Sequence, residues 1–194
     1  HGMHSMESAI QLVQAISITD TVPIVRVNWN EPGSVMRMLD AGAYGIICPM
    51  VNTRAECAAF VGACLYPPQG YRSLGPTRAK LALGDDYAHM ANDEILTIAM
   101  VETKEALDNV AEIASVPGLS MIFVGTSDLR LSLLASGVAE DAIDHEINQA
   151  LDTILQTCHS AQVHAGLFTM NPEAAKTMIA KGFAFVTVKT DTML

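Results

Sequence analysis

The stretch from Thr97 to Leu129 constrains the fold of this chain more than any other. It contains two short apolar runs, at 98–101 and 121–124, and each is followed by a carboxylate: Glu102 after the first run and Asp128 after the second. The runs predict buried strands, and residues 104–114 between them carry apolar side chains at helical spacing. A strand–helix–strand crossover of this length makes the two strands parallel, so their carboxyl ends lie at one edge of the sheet.

Two carboxylates at one sheet edge suit a divalent cation. Oxygen ligands and water are what Mg²⁺ and Mn²⁺ prefer, and this edge is where α/β folds place their chemistry. The alternative is that Glu102 and Asp128 are helix caps or first-turn acids, which favour the same positions. Spacing alone leaves both interpretations open.

The rest of the chain repeats the alternation of strand and helix. Apolar runs predict strands near 23–27, 45–51, 98–101, 121–124, 162–168 and 183–188, and helices are predicted between them at 31–41, 53–65, 104–114, 139–160 and 172–181. This pattern predicts an α/β fold with a parallel sheet, either doubly wound or a barrel. Neither G-x-G-x-x-G nor G-K-[ST] follows the first strands, so no motif supports nucleotide binding.

Composition excludes several classes of protein. The 194 residues are half hydrophobic, which is enough for one globular domain. With 21 acidic and 11 basic residues the net charge is −10, and binding to nucleic acid is disfavoured. No apolar run has the length of a membrane span and no signal peptide is recognisable, so we expect a soluble cytoplasmic protein without a membrane partner. The four cysteines lack zinc-site spacing and are expected to be reduced core residues.

Two arginines are candidates for binding an anion. Arg26 interrupts the apolar run of the first strand and, judged alone, is more typical of a buried ion pair. Residues 66–78 form a segment rich in proline and glycine that is too long for a simple turn, which indicates a functional loop. Arg72 in this loop is expected either to be solvated or to contact an anionic substrate tail at the rim of the site.

Several motifs, in one order, resemble those of the HpcH/HpaI aldolases, which are class II pyruvate aldolases with a (β/α)₈ barrel. They are RVNWNEP at 26–32, YPP at 66–68, YRSLGP at 71–76, VET at 101–103, VGTSDL at 124–129 and FVTV at 185–188. The resemblance covers the whole chain. It implies a TIM-type (β/α)₈ barrel that is incomplete here, with about six β/α units in one domain, 1–194, truncated at both ends.

The resemblance also implies roles for individual residues. Glu102 and Asp128 would bind a divalent metal ion, Mg²⁺ or Mn²⁺, with Co²⁺ as a further candidate. Arg26 would contact the keto or enolate oxygen of pyruvate, and His1 would assist proton transfer. The backbone of the turn formed by Gly125, Thr126 and Ser127 would receive the pyruvate carboxylate.

The implied function is a metal-dependent lyase that reversibly cleaves a 4-hydroxy-2-oxo acid to pyruvate and an aldehyde through a metal-stabilised enolate, in a homo-oligomer, a trimer or hexamer. One alternative is a citrate-lyase-β-like enzyme acting on an acyl-CoA, which would need a cationic groove. Another is a non-catalytic relative that binds a keto acid or metal. Three departures from the family pattern bear on this choice: Thr126 replaces proline, Met100 replaces a frequent glutamine, and Lys189 replaces glycine.

Overall fold

The structure is a computed structural model that describes residues 4–190. Its strands are β1 (Ile24–Arg26), β2 (Gly45–Cys48), β3 (Leu96–Val101), β4 (Met121–Val124), β5 (His164–Thr169) and β6 (Phe185–Val188). Its helices are α1 (Met6–Ile16), α2 (Pro32–Asp40), α3 (Arg54–Cys64), α4 (Thr77–Leu83), α5 (Tyr87–Glu94), α6 (Lys104–Asp108), α7 (Val110–Ala114), α8 (Thr126–Ala135), α9 (Ile143–Ala161) and α10 (Pro172–Lys181).

The order of the strands in the sheet follows the chain, from β1 to β6. The pairs β1–β2, β4–β5 and β5–β6 are parallel, with Ile24 beside Gly45 in the first pair and Met121 beside His164 in the second. A doubly wound sheet would reverse its strand order at a switch point, whereas successive strands of a TIM barrel are neighbours. The prediction of a TIM-type α/β fold with about six β/α units is therefore confirmed.

Local sequence signals explain where α2 begins and where α10 begins and ends. Helix α2 has Pro32 at its start, and its cap is Glu31, whose carboxylate accepts hydrogen bonds from the backbone N–H groups of Gly33 and Ser34. Helix α10 begins at a cap formed by Asn171 and ends at Gly182, whose φ of 116° suits glycine.

The structure differs from the predicted elements at several places. The strand expected over 45–51 ends at Cys48. The helix expected over 104–114 is broken at Asn109, because this side chain donates a hydrogen bond to the backbone oxygen of Asn52 at 2.9 Å. Helix α8 follows β4 directly and was missing from the predicted elements. Helix α4 begins at Thr77, inside the segment predicted as loop.

The residues form two compact units. The first unit comprises residues up to 49 together with 58–98, and the second comprises 50–57 together with the residues from 99 onwards, so β3 contributes to both. Fully buried side chains of the first unit include Val35, Leu39, Ile46 and Phe60. Those of the second unit include Ile113, Ile122, Leu129, Ile143 and Ile154. Each unit therefore has its own apolar core.

All four cysteines are reduced and buried, as predicted. Burial raises the pKa of the Cys57 and Cys158 thiols to about 12, so both thiols are protonated near neutral pH and are poor nucleophiles. Among residues 4–190 there is no helix of the length and apolar character needed to cross a membrane.

Candidate active site

Glu102 directly follows β3 in the second unit and is buried, with 1% of its surface exposed. The backbone N–H of Met50 donates a hydrogen bond to its Oε1 atom, and the N···O distance is 2.7 Å. A buried carboxylate is costly unless hydrogen bonds or a cation compensate its charge. The hydrogen bond from Met50 therefore fixes one carboxylate oxygen of Glu102.

The second carboxylate oxygen of Glu102 faces the end of β4. There Gly125 donates its N–H to the backbone oxygen of Val101 at 3.2 Å. A Cβ atom added to Gly125 would lie 2.6 Å from Oε2 and 2.7 Å from Cβ of Glu102, closer than such atoms approach one another. Only glycine fits at this position. Because Gly125 has no side chain, there is space in which Oε2 of Glu102 approaches the turn that leads into α8. We call this space the Glu102 cradle.

Asp128 lies in the first turn of α8, in the same unit as Glu102, and its side chain is exposed. This is the first-turn position that the alternative interpretation expected, and such an acid complements the helix dipole. By helix geometry, the N–H groups of Thr126, Ser127 and Asp128 have no acceptor within α8. The turn thus combines backbone donors with the carboxylate of Asp128.

The threonine at 126 does not disturb the turn. Thr126 is the first residue of α8, with Gly125 as its cap. Proline is tolerated at this position because its missing N–H would have no partner within the helix. Replacing proline by threonine therefore keeps the start of the helix and adds one N–H donor at its N-terminus.

These residues fit a hard divalent cation. Glu102 offers a buried oxygen in a cradle that only glycine leaves open, and Asp128 adds a second carboxylate from the same unit. Residues 4–190 contain no cluster of three or more His, Cys, Asp or Glu side chains placed to bind a metal. The protein would supply two carboxylates and leave the other positions to water and substrate, which is typical of Mg²⁺ sites.

Arg26 belongs to the first unit and is the last residue of β1, with an exposed side chain. It lines a cavity of about 400 Å³ together with His4, Asn28 and Ser34 at its polar side. Helix α1 contributes apolar residues to the same cavity, among them Leu12. The strand predicted over 23–27 is observed as β1, and Arg26 lies at its carboxyl end. His1, the predicted proton-transfer residue, lies outside the described residues.

Arg72 is not at an exposed rim, and this corrects the expectation drawn from its loop. It is 2% exposed and lies in the first unit, where its guanidinium donates to Asp40 Oδ1 at 2.7 Å and to the Tyr87 hydroxyl at 2.9 Å. Its Cζ atom stacks 4.6 Å from the centre of the Tyr66 ring. Burial alone would lower the pKa of Arg72, but Tyr87 and Asp40 more than offset this, so the pKa is raised. Arg72 therefore stabilises the fold.

Two residues near strand ends have left-handed backbones that sequence reasoning missed. Met50, which follows β2, has a φ of 54°, and Lys189, which follows β6, has a φ of 55°. A residue other than glycine in this conformation costs roughly 1–2 kcal/mol. This explains why glycine suits position 189. Met50 lies inside the strand predicted over 45–51, and methionine gives no hint of a left-handed backbone.

We expect Gly125→Ala to push the Glu102 carboxylate out of its cradle. The clash involves the Cβ atom of Glu102 as well as its flexible end, so relief requires a backbone shift that costs about 1–3 kcal/mol of unfolding free energy. Chemical denaturation measures this loss. Gly75→Ala is the control, because an added Cβ there meets no atom within 4 Å. Equal stability of the two variants would contradict the steric interpretation.

Comparison with known proteins agrees with the geometry. The family model described as HpcH/HpaI aldolase/citrate lyase matches residues 4–194. A hydroxypyruvate/pyruvate aldolase of Rhizorhabdus wittichii is 41% identical over 177 residues, which are 91% of this chain and 70% of the relative. A 4-hydroxy-2-oxo-heptane-1,7-dioate aldolase of Salmonella paratyphi A is 32% identical over 197 residues, 100% of this chain and 74% of the relative.

A solved structure extends the comparison to the fold. The crystal structure of an HpcH/HpaI aldolase/citrate lyase family protein from Burkholderia cenocepacia J2315 superposes with a TM-score of 0.88 at 30% identity, covering 100% of this chain and 77% of that one. The family match spans nearly the whole chain, and the sequence motifs and the strand order agree with it. This chain belongs to the HpcH/HpaI aldolase/citrate lyase family.

Proposed function

We propose that this chain is a metal-dependent aldolase that reversibly cleaves a 4-hydroxy-2-oxo acid to pyruvate and an aldehyde. The observation that carries the proposal is the buried carboxylate of Glu102, with Oε1 held by Met50 and Oε2 directed to the turn at Gly125. A buried, oriented carboxylate beside a helix N-terminus is suited to holding a cation and an anionic keto acid together.

The site residues of the second unit have distinct roles in this proposal. Glu102 and Asp128 would hold a divalent ion, Mg²⁺ or Mn²⁺, with Co²⁺ as a further candidate. When bound, that ion would withdraw electrons from the keto carbonyl of the oxo acid, which favours cleavage of the bond between C3 and C4 and, in the reverse direction, acidifies the methyl group of pyruvate. The backbone N–H groups of Gly125, Thr126 and Ser127 would orient the substrate carboxylate, aided by the positive end of the α8 dipole.

The roles that we propose for Arg26 and His1 rest on the resemblance to the HpcH/HpaI aldolases. Arg26 would donate to the keto oxygen, where negative charge develops as the carbon–carbon bond breaks, and a fixed guanidinium is most effective at such a point. His1 would carry the proton, because an imidazole titrates near neutral pH. Arg72 has no part in this proposal, since its guanidinium is buried against Asp40 and Tyr87.

The substrate class follows from what the aldolase relatives share. Two relatives are a hydroxypyruvate/pyruvate aldolase and a 4-hydroxy-2-oxo-heptane-1,7-dioate aldolase. A small 2-keto acid is common to both reactions, whereas the aldehyde differs. We therefore propose pyruvate as the keto acid, in a homo-oligomer of three or six chains as the family resemblance implies.

The non-catalytic alternative is less well supported. One of its two grounds is the altered turn at 125–128, yet α8 begins at Thr126 and retains its first-turn N–H groups. The acyl-CoA alternative needs a cationic groove, and a chain with a net charge of −10 supplies few basic residues for one.

The test is release of pyruvate from 4-hydroxy-2-oxo acids that differ in the aldehyde portion, measured by coupled oxidation of NADH after metal removal and after addition of Mg²⁺ or Mn²⁺. We expect release only with the metal. Metal-independent release, or none from any substrate in the presence of metal, would contradict the proposal.

We expect Arg26→Ala to keep Mn²⁺ affinity and to lose about a hundredfold in turnover, on the order of 3 kcal/mol, as is typical when one donor to a developing oxyanion is removed. Arg37→Ala is the matched control, because Arg37 is an exposed arginine of the same unit. Calorimetric titration and the pyruvate assay measure the two effects. Near-normal turnover of Arg26→Ala would show that Arg26 does not act on the substrate.

A further inference from the structure

The backbone at Met50 is unusual for its position in the chain. Three residues other than glycine have positive φ among residues 4–190: Met50, Gln162 and Lys189. Gln162 is the capping residue that follows α9, a position where a left-handed residue is common. Its N–H donates to carbonyl groups of that helix. Met50 has no such role, because it follows β2 and lies four residues before α3. A contact outside its own element must compensate the cost of this conformation.

That contact is with Glu102. The Met50 N–H donates to Oε1 at 2.7 Å, and the next residue, Val51, donates its N–H to the backbone oxygen of Met100 at 3.3 Å. Consecutive N–H groups are therefore directed at the end of β3. All these residues belong to the second unit.

Side chains hold the segment that follows Met50. The hydroxyl of Thr103 donates to Asn52 Oδ1 at 2.5 Å, and the side-chain amide of Asn109 donates to the backbone oxygen of Asn52 at 2.9 Å. Because the chain is anchored after Met50, a change of φ at Met50 would rotate its N–H away from Glu102. The left-handed backbone and the orientation of the carboxylate are thereby coupled.

We propose that Met50 is a positioning residue whose left-handed backbone fixes Oε1 of Glu102 and so directs Oε2 toward the turn at Gly125. This inference rests on the proposed function, in which Glu102 binds the divalent ion. Outer hydrogen bonds of this kind orient a ligating carboxylate before the metal arrives. The backbone of Met50 thus contributes to metal affinity, although the residue itself is not a ligand.

Substitutions that keep the N–H and change only the preferred φ test the inference. Met50→Val disfavours the left-handed region, because its side chain is branched at Cβ, whereas Met50→Gly accepts that region freely. Gln162→Val is the matched control, since it imposes the same backbone conflict within the same unit at a helix end. Calorimetric titration with MnCl₂ measures affinity, and chemical denaturation measures stability.

We expect Met50→Val to weaken Mn²⁺ binding about tenfold or more, the usual effect of losing an outer-shell partner. The separate variant Met50→Gly should keep the wild-type affinity. Gln162→Val should lose stability while keeping its Mn²⁺ affinity. Unchanged affinity in Met50→Val, or an equal loss in Gln162→Val, would overturn the inference while leaving the proposed function intact. If the wild-type chain fails to bind Mn²⁺, both the proposed function and the inference are overturned.

A metal-free measurement examines the hydrogen bond itself. In Glu102→Ala the Met50 amide loses a charged acceptor, so its hydrogen exchange should accelerate about tenfold or more relative to wild type. The amide of Gln162 serves as the internal reference in the same NMR spectra. An unchanged exchange rate at Met50 would show that Glu102 does not hold this backbone, and the inference would fail.

Discussion

Glu102→Gln is expected to abolish measurable Mn²⁺ binding and pyruvate release without unfolding the protein. The amide has the shape of the carboxylate and can still accept the Met50 N–H, but it has lost the charge that holds a divalent cation. We expect the loss of affinity to exceed the roughly tenfold to hundredfold typical of outer-shell partners. The metal-free variant should be about as stable as wild type, because the amide keeps the shape of the side chain and the hydrogen bond from Met50.

Thermal unfolding with and without Mn²⁺ separates these effects. A ligand at a hundred times its dissociation constant stabilises the folded state by about 2.7 kcal/mol, so Mn²⁺ should raise the unfolding midpoint of wild type and not that of Glu102→Gln. Glu105→Gln is the control, because Glu105 is an exposed acid of the same unit. Equal stabilisation of all three proteins would mean that the ion binds elsewhere. Mn²⁺ should likewise leave the unfolding midpoint of Asp128→Asn unchanged.

Arg72→Met is expected to lower the free energy of unfolding by about 3 kcal/mol, the lower end for a broken buried ion pair because Asp40 remains 32% exposed. The variant leaves Asp40 without its 2.7 Å partner and removes the cation stacked on Tyr66. The Tyr87 hydroxyl, the other acceptor of the guanidinium, has no cationic form and cannot replace the lost partner of Asp40.

A double-mutant cycle with Asp40→Asn isolates the ion pair from the stacking. If the pair contributes as expected, Asp40→Asn should cost less in Arg72→Met than in wild type. Arg37→Met controls for the loss of an exposed arginine in the same unit. Additive losses in the cycle would show that the guanidinium acts only through packing.

The sequence predicted the fold well because its signals are local. Apolar runs separated by helical periodicity specify β/α alternation, and Pro32 and Gly182 mark helix ends. The break at Asn109 was not predictable, because it arises from a hydrogen bond to Asn52, which is 57 positions away along the chain. The family was identified from several motifs in one order, and both the family and the aldolase class are confirmed.

Within the candidate site, some residues lie where the sequence predicted them and others do not. Glu102 was expected at the end of a strand and lies there, buried beside the turn that contains Gly125. Arg72 was assigned to the wrong environment, because a loop rich in proline and glycine predicts exposure and gives no sign of Asp40, 32 positions earlier. Met50 escaped notice because its contribution comes from the backbone.

The most direct test of the central claim is exchange of the pyruvate methyl protons with deuterium, followed by proton NMR in D₂O. Removal of a methyl proton is the half of the proposed reaction that needs no aldehyde, so the result does not depend on the unknown aldehyde. We predict exchange with the wild-type chain and Mg²⁺, none after chelation of the ion, and none with Glu102→Gln. Exchange that persists in the chelated wild type or in Glu102→Gln with Mg²⁺, or no exchange by wild type with Mg²⁺, would contradict the claim that this carboxylate holds a catalytic cation.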